Sequence, residues 1–238
     1  MRRNVVVAGL AMALGIASQA AAYEAIAVTD GGTLAGQVKA GGAAAVAGAK
    51  FEVTKDPEVC GKEKNKPDVV LGANKELANV VVMVKATKGK KLDLPATNPV
   101  FDQKTCEFRP HVLLFPAGST IDILNSDGIL HNIHTTATVN SSTNQAQPKF
   151  KPKMNIKIEK PEFPIKVVCD AHNWMSAWWV SMDHPYYAAT DASGNFKIGD
   201  LPAGDYEVDV WHETLGKKTE KVSIKAKEET KVAWELSK

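Results

Sequence analysis

Short alternating runs dominate the chain. Ile121 and Ile123 alternate with Thr120 and Asp122, which fits a strand with one buried face. "RPHVLLFPAGSTIDILNSD" (109–127) reads as strand, Pro-Ala-Gly turn, strand. "NVVVMVKA" (79–86) is apolar without a break and predicts a strongly buried strand. "GILHNIHTTATV" opens as a loop and returns to strand. Residues 154–169 hold two short strands interrupted at Pro161 and Pro164, and "SAWWVSM" (176–182) is another. Near the start, β-like pieces at 34–39 and 49–54 flank a Gly- and Ala-rich turn. After "DHPYY" the composition shifts. Ser-Gly-Asn and Pro-Ala-Gly turns there separate alternating strands, and only about four fit, few for a unit stable alone. No amphipathic helical pattern of any length stands out, and there is no internal repeat. The pattern predicts an all-β protein built of sandwiches.

The first residues follow other rules. Arg2 and Arg3 form a basic start, 5–17 is apolar, and Ala20 and Ala22 are spaced as the small residues of a cleavage site. Residues 1–22 are therefore expected to be a cleaved secretory signal, with Tyr23 opening the mature chain. A membrane span needs about 20 apolar residues, and this run is shorter. No later segment is apolar enough, so a periplasmic or secreted protein without a membrane span is expected. Loss of Arg2 and Arg3 takes 29 basic residues to 27, against 27 acidic ones. The lysine clusters (62, 64, 66; 88, 90, 91; 149, 151, 153) are interrupted by Gly, Pro or polar residues. No nucleic-acid partner is expected from such a balance.

Three cysteines in an exported chain raise a chemical question. Cys60 and Cys106 lie in polar, charged stretches, and an oxidising compartment favours pairing them as a disulfide. Cys169 is then the odd one. Taken alone it reads as a buried core cysteine. Its neighbours argue otherwise, because "CDAHNWM" (169–175) sets a thiol, an imidazole and a thioether at positions i, i+3 and i+6. On a strand i and i+3 face opposite ways, but a tight loop after a strand can turn all three inward. A trigonal copper site takes one thiolate, two imidazoles and a weak axial thioether, so a second His has to come from elsewhere. "NSDGILHNIHT" offers His131 and His134. His131 comes first after the Asp-Gly turn, whereas His134 faces the other way if the segment is extended. His111, His184 and His212 read as surface or internally satisfied histidines, and the tryptophans at 174, 178 and 179 as packing. Zinc stays open, since Cys and His also suit that metal.

Together "PAGSTIDILNSDGILHNI" and "CDAHNWM" resemble the cupredoxins, the blue copper proteins. The short Cys–His–Met spacing is similar to the amicyanin and plastocyanin-like members, and the wider layout to methylamine-utilisation-type proteins. The resemblance covers about residues 79–185. It implies a Greek-key β-sandwich holding copper, one type 1 ion, on His131, Cys169, His172 and Met175, with Asn132 bracing the cysteine loop. Leu130 stands where the family often has Pro, and the insert carrying Cys60 and Cys106 departs from the pattern. The tail resembles the carboxypeptidase regulatory domain, a small prealbumin-like β-sandwich, and 36–53 resembles that domain's opening strands. The organisation implied is a signal at 1–22, a copper domain at 23–185 with its core at 79–185, and a small sandwich at 186–238 that 31–54 is a candidate to complete.

What the resemblance implies about function is single-electron transfer between redox protein partners, not catalysis. A His172 close to solvent is the expected exit for the electron. The alternative is a copper-binding chaperone or sensor, which needs exchangeable metal. An enzyme would need a further copper centre, and the chain has no His-Cys-His bridge or second His cluster to build one.

Overall fold

The computed structural model describes residues 22–42, 50–65 and 69–238. Residues 1–21 of the expected leader, and the first residue of the 49–54 piece, lie outside them. The chain is all-β, as its alternation predicts, and among the described residues no helix is long and apolar enough to cross a membrane.

Two sandwiches hold most of the strands. In the first, one sheet runs in the order Lys153–Lys157, Thr120–Asn125, Val100–Lys104, Glu107–Arg109. The facing sheet runs Asn144–Gln147, His131–Thr136, Glu162–Val168, Ser176–Met182, Val112–Pro116. Alternation decides what each strand turns inward. Ile121 and Ile123 are fully buried while Thr120 and Asp122 are not, and they meet Phe101, Ile133, Ile165, Val167 and Trp179 in one core.

The second sandwich packs Tyr187–Ala189, Val81–Val84, Gly204–His212 and Gly216–Ile224 against Asn195–Leu201, Gly32–Ala40 and Glu229–Leu236. Gly32–Ala40 runs parallel to Glu229–Leu236 along its whole length, so the early segment supplies a central strand to the tail. The Ser-Gly-Asn turn works as its sequence suggests. Asp191 accepts the amides of Ser193 and Asn195 at 2.8 and 2.9 Å. Gly194 takes a left-handed φ of 72° there, and a Cβ on it would fall 2.5 Å from the Val38 carbonyl oxygen.

One strand sits elsewhere than its surroundings suggested. The resemblance places residues 79–86 in the copper-type core, but Val81–Val84 pairs with Tyr187–Ala189 and Gly204–His212 in the second sandwich. Its unbroken apolar run has a physical reason. Val82 and Val84 face the core of their own sandwich. Val81 and Met83 face outward onto Val112 and Val180 of the first sandwich, with Trp178 and Trp211 beside them. The strand is buried on both faces because it lies at the joint.

The 50–65 insert is a small hairpin, Lys50–Glu52 with Glu63–Asn65, closed over one turn of helix, Pro57–Cys60. Val53 and Cys60 enter the core of the first sandwich. Cys60 is disulfide-bonded to Cys106 across 46 residues, the pairing expected from their polar settings. Lys64 fastens the hairpin further, donating to the Thr105 carbonyl at 2.5 Å and pairing with Glu107 at 3.3 Å.

Candidate metal centre

His131 opens its strand, and the loop before it is shaped by hydrogen bonds. The Asn125 side chain donates to the carbonyls of Ile129 and Gln147 at 2.8 and 3.0 Å and accepts the amides of Asp127 and Gly128 at 3.3 Å. Gly128 turns the chain with a φ of 65°. Asp127 is thereby aimed at three donors. Its carboxylate accepts the amides of Thr105 and Cys106, at 2.5 and 2.8 Å, and the Nε2–H of His131 at 2.9 Å. A carboxylate only accepts, so this bond assigns the proton to Nε2 and leaves the His131 Nδ1 lone pair bare.

The cysteine loop explains its own spacing. The His172 amide reaches the Cys169 carbonyl at 3.3 Å, and the Met175 amide reaches the His172 carbonyl at 2.9 Å. The Cys169 amide closes the loop on the Met175 carbonyl at 3.3 Å. Two consecutive three-residue turns bring side chains at i, i+3 and i+6 to one side, since i and i+3 eclipse in such turns. Asn132 braces this loop. Its Oδ1 accepts the amides of Asp170 and Ala171 at 2.7 and 3.2 Å and the Cys169 thiol at 3.3 Å.

Three donor atoms converge. The Nδ1 atoms of His131 and His172 lie 3.0 Å apart, and the Cys169 sulfur lies 3.9 and 3.7 Å from them. All three residues are buried. A trigonal N₂S set with bonds of about 2.0–2.3 Å would place neighbouring donors about 3.5–3.8 Å apart, so the residues fit one small cation. Met175 is 2 % exposed, in the same core cluster. His134 points elsewhere. It pairs with Asp170 at 3.0 Å and its side chain is 40 % exposed.

The electrostatics suit uptake of a cation. Burial holds both imidazoles below the usual histidine range, against the upward pull of Asp127 on His131 and of Asp56 on His172. Burial also pushes the Cys169 thiol up, against the backbone amides that favour the thiolate. Two neutral rings therefore face lone pair to lone pair beside a buried thiol. A metal ion would satisfy that arrangement by taking all three.

His172 departs from expectation. Its side chain is 0 % exposed, and its Nε2–H donates to Asp56 of the insert at 3.0 Å. The expected solvent-near edge is covered because the disulfide-held hairpin lies over it. Neither Asp56 nor Asp127 was read from the sequence. Asp127 stood in a turn, and Asp56 is 116 positions from the ring that it meets. Trp174 ties the same region together, donating from Nε1 to the Cys106 carbonyl at 3.0 Å with its ring 5.2 Å from His172. The remaining histidines have partners, such as Glu213 for His111.

An all-β chain with one thiol and two imidazoles converging at the loop end of a sandwich defines a candidate metal protein. A search of curated proteins finds no match. A family model described as polysaccharide lyase family 4, domain II, matches residues 164–232, from the last strands of the first sandwich into the second. Among solved structures, amicyanin from Paracoccus versutus is 16 % identical over 42 % of this chain and 97 % of its own, with a TM-score of 0.33. A purple cupredoxin from Nitrosopumilus maritimus is 16 % identical over 36 % of this chain and 100 % of its own, at 0.31. A copper-containing nitrite reductase from Thermus scotoductus is 20 % identical over 38 % of this chain, at 0.32, and the chain spans 24 % of that protein's length.

Proposed function

We propose that this protein is a type 1 copper protein that carries single electrons between redox protein partners. His131, Cys169 and His172 would hold one copper ion, with Met175 as the weak axial group. The observation that supports this most is the 3.0–3.9 Å triangle of two imidazole nitrogens and a thiol, buried, with both outer imidazole nitrogens committed to carboxylates. Copper bound there supplies a one-electron couple, and soft sulfur with imidazole is the donor set that it favours.

The chain's own residues do the rest. The braced cysteine loop and the two carboxylates hold the three donors at one place, so little has to move when the charge changes. Full burial of both rings disfavours the exchange that a copper chaperone needs. Among the described residues it also leaves no approach for a substrate, which is why we read a carrier and not an enzyme. The Cys60–Cys106 disulfide suits an oxidising compartment, in keeping with a secretory signal and a periplasmic or secreted location.

The test is addition of Cu(II) to the purified metal-free chain. One equivalent should produce an intense visible thiolate-to-copper band and a narrow copper hyperfine splitting. Stoichiometric Cu(II) binding without that band, or tight binding of zinc alone, would overturn the type 1 reading.

A further inference from the structure

Asp56 occupies an unusual position for a reason that its own segment does not supply. Its backbone is left-handed, with φ 51° and ψ 44°, although it is not glycine and stands directly before Pro57. A residue before proline is ordinarily extended, and non-glycine residues held in left-handed backbone cluster where function requires them. It also starts the Pro57–Cys60 helix, where an Asp side chain ordinarily caps the helix's own amides. No such side-chain bond forms. The carboxylate turns instead onto His172 Nε2, at 3.0 Å.

The segment that presents it is fastened. Cys60 is joined to Cys106, and the Cys106 amide donates to Asp127, the partner of His131. One covalent staple thus connects the platforms of both carboxylates that hold the two imidazoles.

We propose that Asp56 is a positioning residue for the metal centre: it holds His172 with Nε2–H outward and Nδ1 toward the thiol, and it closes the ring edge to solvent and small ligands. This rests on the copper reading above. Carboxylate–imidazole pairs fix the tautomer and orientation of a metal-binding ring and add electron density to it. The carboxylate's negative charge favours the more positive copper state, so it lowers the reduction potential.

The experiment compares the full chain with its Asp56→Asn and Asp56→Ala variants. Without metal, long-range ¹H–¹⁵N spectra of the histidine rings report the tautomer. His172 should carry its proton on Nε2 in the wild type and in Asp56→Asn, whose carbonyl oxygen still accepts, and should become mixed in Asp56→Ala. With copper, both variants should have a higher reduction potential than the wild type. Added imidazole should perturb the paramagnetic spectrum of Asp56→Ala and leave the wild type unchanged. An unchanged tautomer, potential and imidazole response in Asp56→Ala would overturn the proposal even if the visible band is present. If the tautomer shifts but no form shows the band, the copper reading fails while the positioning role stands. Should Asp56→Ala not fold, the potential of Asp56→Asn decides, and no rise against the wild type overturns the proposal.

Discussion

His131 and His172 face each other through their Nδ1 atoms, 3.0 Å apart, while their Nε2 atoms turn outward onto Asp127 and Asp56. One ring opens a strand and the other sits in the Cys169–Met175 loop, 41 positions apart, yet they present like atoms to one point. Two bare lone pairs at that distance repel unless a cation lies between them. This relationship separates His131 from its neighbour in the "HNIH" segment. His134 faces Asp170 on the exposed side. His131→Gly should therefore weaken copper binding by more than about 100-fold, beyond what losing an outer carboxylate costs, with partial rescue by added imidazole. His134→Gly should keep a near-native spectrum. Copper titration of both variants decides, and the reverse pattern would move the site by three residues.

Cys169→Ser separates colour from fold. The hydroxyl can still donate to Asn132 Oδ1, as the thiol does at 3.3 Å. The fold rests on the core strands, so the expected cost is about 1–2 kcal/mol. The intense visible band should vanish. A mutant that keeps the band would show that sulfur is not the ligand.

The disulfide gives a third expectation. Thiol counting in denaturant without reductant should find one thiol, Cys169, in the metal-free chain. Cys60 and Cys106 close a loop of 46 residues, and restricting such a loop in the unfolded chain is worth about 4 kcal/mol. The Cys60→Ser/Cys106→Ser double variant should lose up to that amount in urea unfolding. Because the same staple holds the insert over His172, it should also bind copper with faster exchange. Equal stability would show that the hairpin's burial of Val53 and its Lys64 contacts suffice.

Much of this was legible because it is local. Ile121 and Ile123 alternate with polar residues, and they are the buried positions of their strand. The Cys169–Met175 loop carries its turn geometry in its own spacing. Asn132 follows His131 directly and braces the loop as the resemblance implied. What was not legible depends on distant partners. The Val81–Val84 strand is apolar on both faces, so alternation could not say which sandwich it joins. Asp56 reads as a loop acid before a proline, and only the folded insert brings it to His172. The same contact covers the ring edge that was expected to meet solvent.

Glu162 predicts an acid-sensitive contact away from the candidate metal centre. Burial alone would raise its carboxyl, but the amides of Thr138, Asn140 and Val139, with the Asn140 side chain, hold it down to about 2 from an ordinary 4.5. The folded value is depressed, so the stabilisation is fully present above pH 4.5 and is lost as pH falls toward 2. At most it amounts to about 3 kcal/mol. Urea midpoints followed from pH 6 downward should fall less steeply in Glu162→Gln than in the wild type through that window. Parallel curves would mean that the loop amides do not need the charge.

Glu213 tests what holds the two sandwiches together. It accepts the Trp178 Nε1–H at 2.7 Å with one oxygen and takes the His111 ring on the other. His111 and Trp178 belong to the first sandwich, whereas Glu213 follows the Gly204–His212 strand of the second. Burial would raise its carboxyl, yet the His111 bond and charge hold it below the usual range. Glu213→Ala leaves a half-buried indole N–H and a histidine without their acceptor, which should cost about 1–3 kcal/mol. Beside it lie Val81, Met83, Val112 and Val180, all buried at the same joint. Each such side chain contributes about 1.5–3 kcal/mol when fully buried, so together they outweigh the polar contact. The variant should therefore melt earlier but still in a single calorimetric transition, with its copper spectrum unchanged. Two separate transitions would show that the joint depends on Glu213 and that the apolar contacts alone do not couple the sandwiches.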